Sequence, residues 1–89
     1  MYTAKKYLEK YAQAFSTIDK NKLKLALNDL YLEFSEETHM IAQIRGLTTH
    51  LQIVRVVKDQ NRKWNHLRKL FIKELGFTIM PKNFFKDNF

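Results

Sequence analysis

The sequence predicts an all-α protein: a small bundle of three main helices, with a fourth as the alternative, a long cationic last helix and an aromatic C-terminal tail. Three observations predict this fold class. The chain has 89 residues, 45% of them hydrophobic, which is enough to bury one core. It has only two glycines and one proline, too few for a turn-rich fold. Its apolar residues recur at three- and four-residue spacing, the period of an amphipathic helix.

The first helix is predicted to begin after Thr3, because a threonine hydroxyl can cap a helix N-terminus. Its apolar stripe consists of Leu8, Tyr11, Ala12 and Phe15. Residues 16–19 end this helix, and either Ser16 or Asp19 can cap the next one.

The second helix carries apolar residues on two sides. Its main stripe comprises Leu23, Leu27, Leu30, Tyr31 and Phe34. Leu25 and Leu32 lie on the opposite side, so we predict that this helix is the central element, buried on two faces. Asp29 and Glu33 are expected to face away from the main stripe. Ser35 lies inside this helix or caps a short third helix that ends at Gly46, where glycine can take the left-handed conformation.

The last helix is predicted to begin after Thr48 or Thr49 and to end at Gly76. Its apolar positions are Leu51, Ile53, Val56, Val57, Trp64, Leu67, Phe71 and Leu75. The β-branched residues within 53–57 are also compatible with a short strand. The continuation of their spacing to Trp64 and Phe71 favours a helix.

The length of this helix raises a question about the whole molecule. A helix over residues 49–75 would be about 40 Å long, whereas a compact domain of this size is about 30 Å across. We therefore expect the helix to break near Gln60 and Asn61 or to pair with a second subunit in a homodimer.

The C-terminal tail cannot form one regular helix across Pro81. We expect its phenylalanines to pack back on the bundle. The predicted organisation is one helical domain over residues 1–89, with a bundle at 1–76 and the tail at 77–89.

The net charge of +7 is unevenly divided. Residues 1–44 carry six lysines and six acidic residues, whereas residues 45–89 carry ten lysines and arginines and three acidic residues. This asymmetry indicates a polyanionic partner, either nucleic acid or an anionic membrane surface. The alternative is that the charge only keeps the protein in solution.

The candidate nucleic-acid site is one face of the last helix. At 100° per residue, six positions fall in a narrow sector opposite Trp64 and Phe71. They are Arg55, Lys58, Arg62, His66, Lys69 and Lys73. This row is about 27 Å long, and Asp59 is the only acidic residue beside it. A row of cations at this spacing can neutralise the phosphates of a nucleic acid, and duplex DNA is the leading candidate. The alternative is an ordinary solvated helix face.

The residues before the last helix also suggest a helix-turn-helix, with a small residue at Ala42, a glycine at Gly46 and apolar anchors at Ile53 and Val56. The anchors come one residue late, and Arg45 occupies a usually apolar position. If the motif is present, the residues that reach the DNA groove are Thr48, Thr49, His50, Gln52 and Arg55. Otherwise the segment is an ordinary helix–helix corner.

Signals of catalysis are absent from the sequence. The chain has no cysteine, which excludes disulfides, thiolate metal sites and thiol nucleophiles. His39, His50 and His66 do not share metal-binding spacing, and there is no glycine-rich phosphate loop. We therefore expect a non-enzyme without metal or cofactor. With no signal peptide and no apolar run of spanning length, a cytoplasmic location is expected.

The leading hypothesis is a non-enzymatic nucleic-acid-binding accessory or regulatory protein. The runner-up is a protein–protein interaction module such as a phage-type inhibitor or a bacteriocin-immunity-like bundle. The chain is similar to such proteins in size and charge alone. Its candidate surface is the acidic face of the second helix: Asp29, Glu33, Glu36 and Glu37. A third hypothesis lays the last helix on anionic lipid, with Trp64 and Phe71 as exposed anchors.

Overall fold

The computed structural model describes residues 3–16, 18–76 and 80–89. Within these residues the protein has four α-helices and no β-strand. They are α1 (Ala4–Phe15), α2 (Lys20–Arg45), α3 (His50–Leu70) and α4 (Phe84–Asn88). A π-helical turn, Phe71–Leu75, continues α3. The predicted all-α class is confirmed.

The helix boundaries follow local capping signals. The carboxylate of Asp19 accepts hydrogen bonds from the backbone N–H groups of Asn21, at 2.9 Å, and Lys22, at 3.4 Å, and so caps α2. Gly46 ends α2 with a φ of 65°, a conformation that favours glycine. Thr49 and Gln52 form a reciprocal capping box at the start of α3. Gly46 ends α2 as predicted, and of the two caps left open for each helix the structure has Asp19 for α2 and Thr49 for α3.

Two open alternatives are resolved by continuous helices. Ser35 is an interior residue of α2, which runs for 26 residues without a break. Residues 53–57 are helical within α3, so the short strand is not formed. The fourth helix comes from the tail, and no helix begins at Ser35.

The prediction that α2 is the central element is wrong. α3 packs against α1, α2 and α4, and it therefore occupies the centre. Leu25 and Leu32, on the outer side of α2, are 64% and 47% exposed. Glu33 does not face away: its carboxylate accepts a hydrogen bond from the Tyr11 hydroxyl of α1 at 2.9 Å.

The core is built largely from aromatic rings contributed by every helix. Trp64 is fully buried, edge-on to Phe34 with ring centroids 5.2 Å apart and stacked on Phe84 at 5.5 Å. Phe71 is also fully buried and packs on Phe15 at 5.0 Å. The predicted burial of the apolar face of α3 is confirmed for Trp64 and Phe71 and is wrong for Leu51, which is 74% exposed. Since Trp64 and Phe71 lie inside the core, they are not exposed lipid anchors.

The predicted break at Gln60 and Asn61 is wrong, because α3 runs through both residues and both are buried. The Gln60 side-chain amide lies 3.5 Å from the carbonyl oxygen of Phe34, to which it donates a hydrogen bond. Asn61 bonds to the tail, whereas Gln60 Oε1 is buried with no hydrogen-bond partner among the described residues. The molecule accommodates the long helix by being elongated, at 41 × 23 × 19 Å, with α2 antiparallel beside α3.

The tail returns to α3 through an asparagine cluster. Asn83, with a φ of 61°, accepts hydrogen bonds at its Oδ1 from the amides of Asn61, at 3.0 Å, and Asn65, at 2.8 Å. The Asn83 backbone N–H donates to Asn65 Oδ1 at 2.9 Å. α4 then places Phe85 in the core with no exposed surface. The predicted packing of the tail is confirmed for residues 80–89; Phe77 lies outside the described residues.

Candidate nucleic-acid interface

The six residues predicted to form a cationic row are all exposed, five of them on α3 and the sixth in the π-helical turn. We call this row the cationic face: Arg55, Lys58, Arg62, His66, Lys69 and Lys73. Every one of these residues is exposed, whereas the buried positions of α3, such as Trp64 and Leu67, lie on the opposite side of the helix. The 3.6-residue period of the α-helix therefore holds from Arg55 to Lys69, and Lys73 follows in the π-helical turn.

The cationic face has one acidic neighbour among the described residues with which it forms an ion pair. Arg62 Nη1 lies 3.5 Å from Asp59 Oδ1, and the two side chains are 82% and 63% exposed. Exposed pairs of this kind contribute little to stability because water and salt screen them. Arg62 can therefore exchange Asp59 for another anion at little cost.

Two further cations of α3 are committed to the fold. Lys63 Nζ lies 3.4 Å from Glu37 of α2, and the Arg68 guanidinium donates a hydrogen bond to the Met80 carbonyl at 2.9 Å. Both side chains flank the buried side of α3, as the sequence predicted, and both are partly buried. They hold neighbouring segments in place and do not belong to the cationic face.

The tail adds two cations that the sequence did not assign to this site. The backbone N–H of Lys86 donates to Asn61 Oδ1 at 3.1 Å, and Lys82 immediately precedes the Asn83 cluster. Both lysine residues are exposed. The asparagine cluster thus brings Lys82 and Lys86 alongside α3. Asparagines spaced four residues apart in α3 were the available signal, but nothing in the sequence showed that they bind the tail.

The corner before α3 has a structural role. Thr48, Thr49, His50 and Gln52 are all exposed there. The Gln52 side-chain oxygen lies 3.3 Å from the backbone nitrogens of both Thr48 and Thr49, and Thr49 Oγ1 lies 3.3 Å from the Gln52 nitrogen. These bonds cap α3 and shape the corner between α2 and α3, while the helix-turn-helix stays a prediction.

The acidic face of α2 is divided by its contacts with α1 and α3. Glu33 bonds to Lys10 and Tyr11, and Glu37 bonds to Tyr7 and Lys63. Burial raises the pKa of the Tyr11 phenol above its ordinary value, and the hydrogen bond with Glu33 raises it further, so this hydroxyl stays protonated.

The other two acids of that face, Asp29 and Glu36, line a groove of about 510 Å³ between α1 and α2. This α1–α2 groove is also lined by apolar side chains, among them Leu25 and Leu32. It carries acidic, basic and apolar groups, a mixture that suits a protein segment.

No protein-family model, curated protein or solved structure matches the chain. Inference about its function therefore rests on the geometry and charge of the described residues. Among them, no group of three or more histidines, cysteines or acidic residues is arranged to hold a metal ion. None of the helices in this part of the chain is both long and apolar enough to cross a membrane.

Proposed function

We propose that the protein is a non-enzymatic nucleic-acid-binding accessory or regulatory protein that holds the phosphate backbone against the cationic face. The observation that carries this proposal is the row of six exposed side chains along α3 and the π-helical turn, with Asp59 as its acidic neighbour. The row extends over about 27 Å. A surface that served only solubility would mix acids into the row, as the first half of the chain does.

The physical basis of this binding is counterion release. A nucleic acid carries condensed cations, and each phosphate that a lysine or arginine neutralises releases some of them into solution. Contacts of this kind carry no sequence information, so the affinity is expected to be similar on unrelated sequences and to fall steeply with salt.

The test replaces Arg62 and Lys69 together by glutamine. We expect affinity to fall about equally on unrelated sequences, because both side chains contact phosphate. The plot of log affinity against log salt should flatten by about 0.9 per lost contact on duplex DNA. Stability should stay within about 0.5 kcal/mol, since both side chains are exposed. Fluorescence anisotropy with labelled oligonucleotides over a salt series measures both quantities.

The matched control replaces Lys6 and Lys22 by glutamine. These exposed lysines on α1 and α2 give the same change in net charge away from the cationic face. The control should keep most of the affinity and the full salt slope. A parent protein that binds neither duplex nor single strand at low salt would contradict the proposal.

A second candidate function, a protein–protein interaction module of the inhibitor or immunity type, is favoured by the outer side of α2. Leu25, Leu32, Met40 and Ile44 are exposed along that helix. Single exposed apolar residues are ordinary, but several on one helix beside a groove suit a partner. This function predicts little affinity for nucleic acid at physiological salt and no ordered salt slope.

We also expect a homodimer at micromolar concentration. The length of α3 no longer requires a dimer. Apolar surface is nevertheless exposed near the turn between α2 and α3, at Met40, Ile44 and Leu51, and Ile44 is 78% exposed. Ile44→Glu should give a monomer by light scattering, because it would bury a charge in the interface. Leu25→Glu, near the other end of α2, should not. A parent protein that is monomeric at these concentrations would remove the expectation.

A further inference from the structure

A second groove, separate from the α1–α2 groove, lies between the first turns of α3 and the end of the tail. Its volume is about 400 Å³, within the range of about 300–1,000 Å³ common for small-ligand sites. Its apolar surface is formed by Ile53, Val54 and Val57 of α3 together with Phe89 of the tail. We call it the α3–tail groove.

The ring of Phe89 is held in place but is not covered. Its centroid lies 5.2 Å from that of Phe85 and 5.6 Å from that of His39. The residue nevertheless keeps 41% of its surface exposed. A fixed and partly exposed aromatic ring beside an apolar surface is the arrangement on which unpaired bases stack in single-strand binding proteins.

The polar residues that line the groove are Lys58, Lys86 and His50, and no aspartate or glutamate is among the described residues that line it. This distinguishes it from the α1–α2 groove, where Asp29, Glu33 and Glu36 lie beside Lys10 and Lys22. The charge around the α3–tail groove therefore complements an anionic ligand that has a flat apolar part.

The groove is continuous with the cationic face because Lys58 belongs to both. A strand whose phosphates follow α3 can thus reach the groove without crossing an acidic surface. We propose that the α3–tail groove receives an unpaired nucleobase of the strand that the cationic face holds, an inference that rests on the proposed function. The favoured partner is then a nucleic acid with an unpaired nucleotide, such as a single-stranded overhang beside a duplex.

The test compares three labelled oligonucleotides by anisotropy at one salt concentration. They are a blunt duplex, the same duplex with a short overhang, and the same overhang built from abasic nucleotides, which keep the phosphates and lack the bases. The parent should bind the overhang with bases about tenfold more tightly than the other two, the scale of one stacked base. This comparison requires no variant of the protein.

Two variants locate the base. Phe89→Leu keeps an apolar side chain against Phe85 but removes the ring, and Val54→Glu places a carboxylate in the groove. Each variant should abolish the tenfold gain in affinity for the overhang with bases. Phe89→Leu should in addition leave the affinity for the blunt duplex within about twofold of that of the parent. Thermal melting checks that both variants are folded. Replacing Arg62 and Lys69 by glutamine should instead weaken binding to all three oligonucleotides.

The outcomes separate the two proposals. Equal affinity for the overhang with and without bases, with a normal salt slope, would overturn the groove inference and leave the cationic face standing. Retention of the gain in a folded Phe89→Leu variant would also overturn it. Absence of binding to all three oligonucleotides at low salt would overturn the proposed function and the groove inference together.

Discussion

Trp64→Ala is expected to lower the free energy of unfolding by about 3–5 kcal/mol, the usual cost of truncating a large buried aromatic side chain. Trp64 has no exposed surface and is surrounded by the rings of Phe34, Phe84 and Phe85. These neighbours come from α2 and the tail, so their collapse into the space left by the indole would have to move two segments at once. The cost should therefore include an unrelieved cavity.

Thermal or urea denaturation followed by circular dichroism measures this loss. For a domain of this size, about 1 kcal/mol corresponds to 4–8 °C in Tm, so the Tm should fall by more than about 10 °C. His66→Ala is the matched control, because His66 is an exposed residue of the same helix and lies outside the core. A Trp64→Ala protein that melts within a few degrees of the parent would show that the core has been assigned to the wrong face of α3.

Phe85→Ala is expected to have an effect of similar size, about 3–5 kcal/mol, although Phe85 belongs to a helix of only five residues. Its ring contacts the core from the tail side, with centroids 5.7 Å from Phe34, 6.2 Å from Trp64 and 5.6 Å from Tyr31. A helix of this length is not stable by itself. The tail therefore depends on its anchor, the Phe85 ring, and on the asparagine cluster. Losing the anchor should release α4 and expose Trp64.

Lys86→Ala is the control for Phe85→Ala. Lys86 is the next residue of α4 and is exposed, and its backbone bond to Asn61 does not require the side chain. This variant should stay within about 0.5 kcal/mol of the parent. Tryptophan fluorescence should shift to the red in Phe85→Ala and not in Lys86→Ala. Unchanged stability and fluorescence in Phe85→Ala would mean that the tail is an appendage and not part of the core.

The sequence by itself determined the features that depend on near neighbours in the chain. Gly46 ends α2, and the sequence limited the caps of α2 and α3 to two residues each, because each of these signals acts within about four residues of itself. The cationic face was equally predictable, since a period of 3.6 residues decides which side chains share one side of a helix.

The sequence did not determine what covers each face. The outer leucines Leu25 and Leu32 have the spacing of a buried stripe, yet no described segment lies over them. Lys63 and Arg68 are cations like those of the cationic face, but Glu37 and the Met80 carbonyl hold them. The residues involved are 12 to 26 positions apart, so only packing between distant segments decides their environment.

The same reason applies to the polar residues in the middle of α3 and to the groove beside them. Gln60 and Asn61 suggested a break, because their partners, the Phe34 carbonyl and the tail, are distant in sequence. The α3–tail groove exists because Asn83 returns the chain to α3 and brings Phe89 beside Val54. Helical period and capping decide the helices and their faces, since these are local interactions. Tertiary structure alone decides which face is covered, which cation is committed and where a groove opens, since these depend on contacts between segments far apart in the chain.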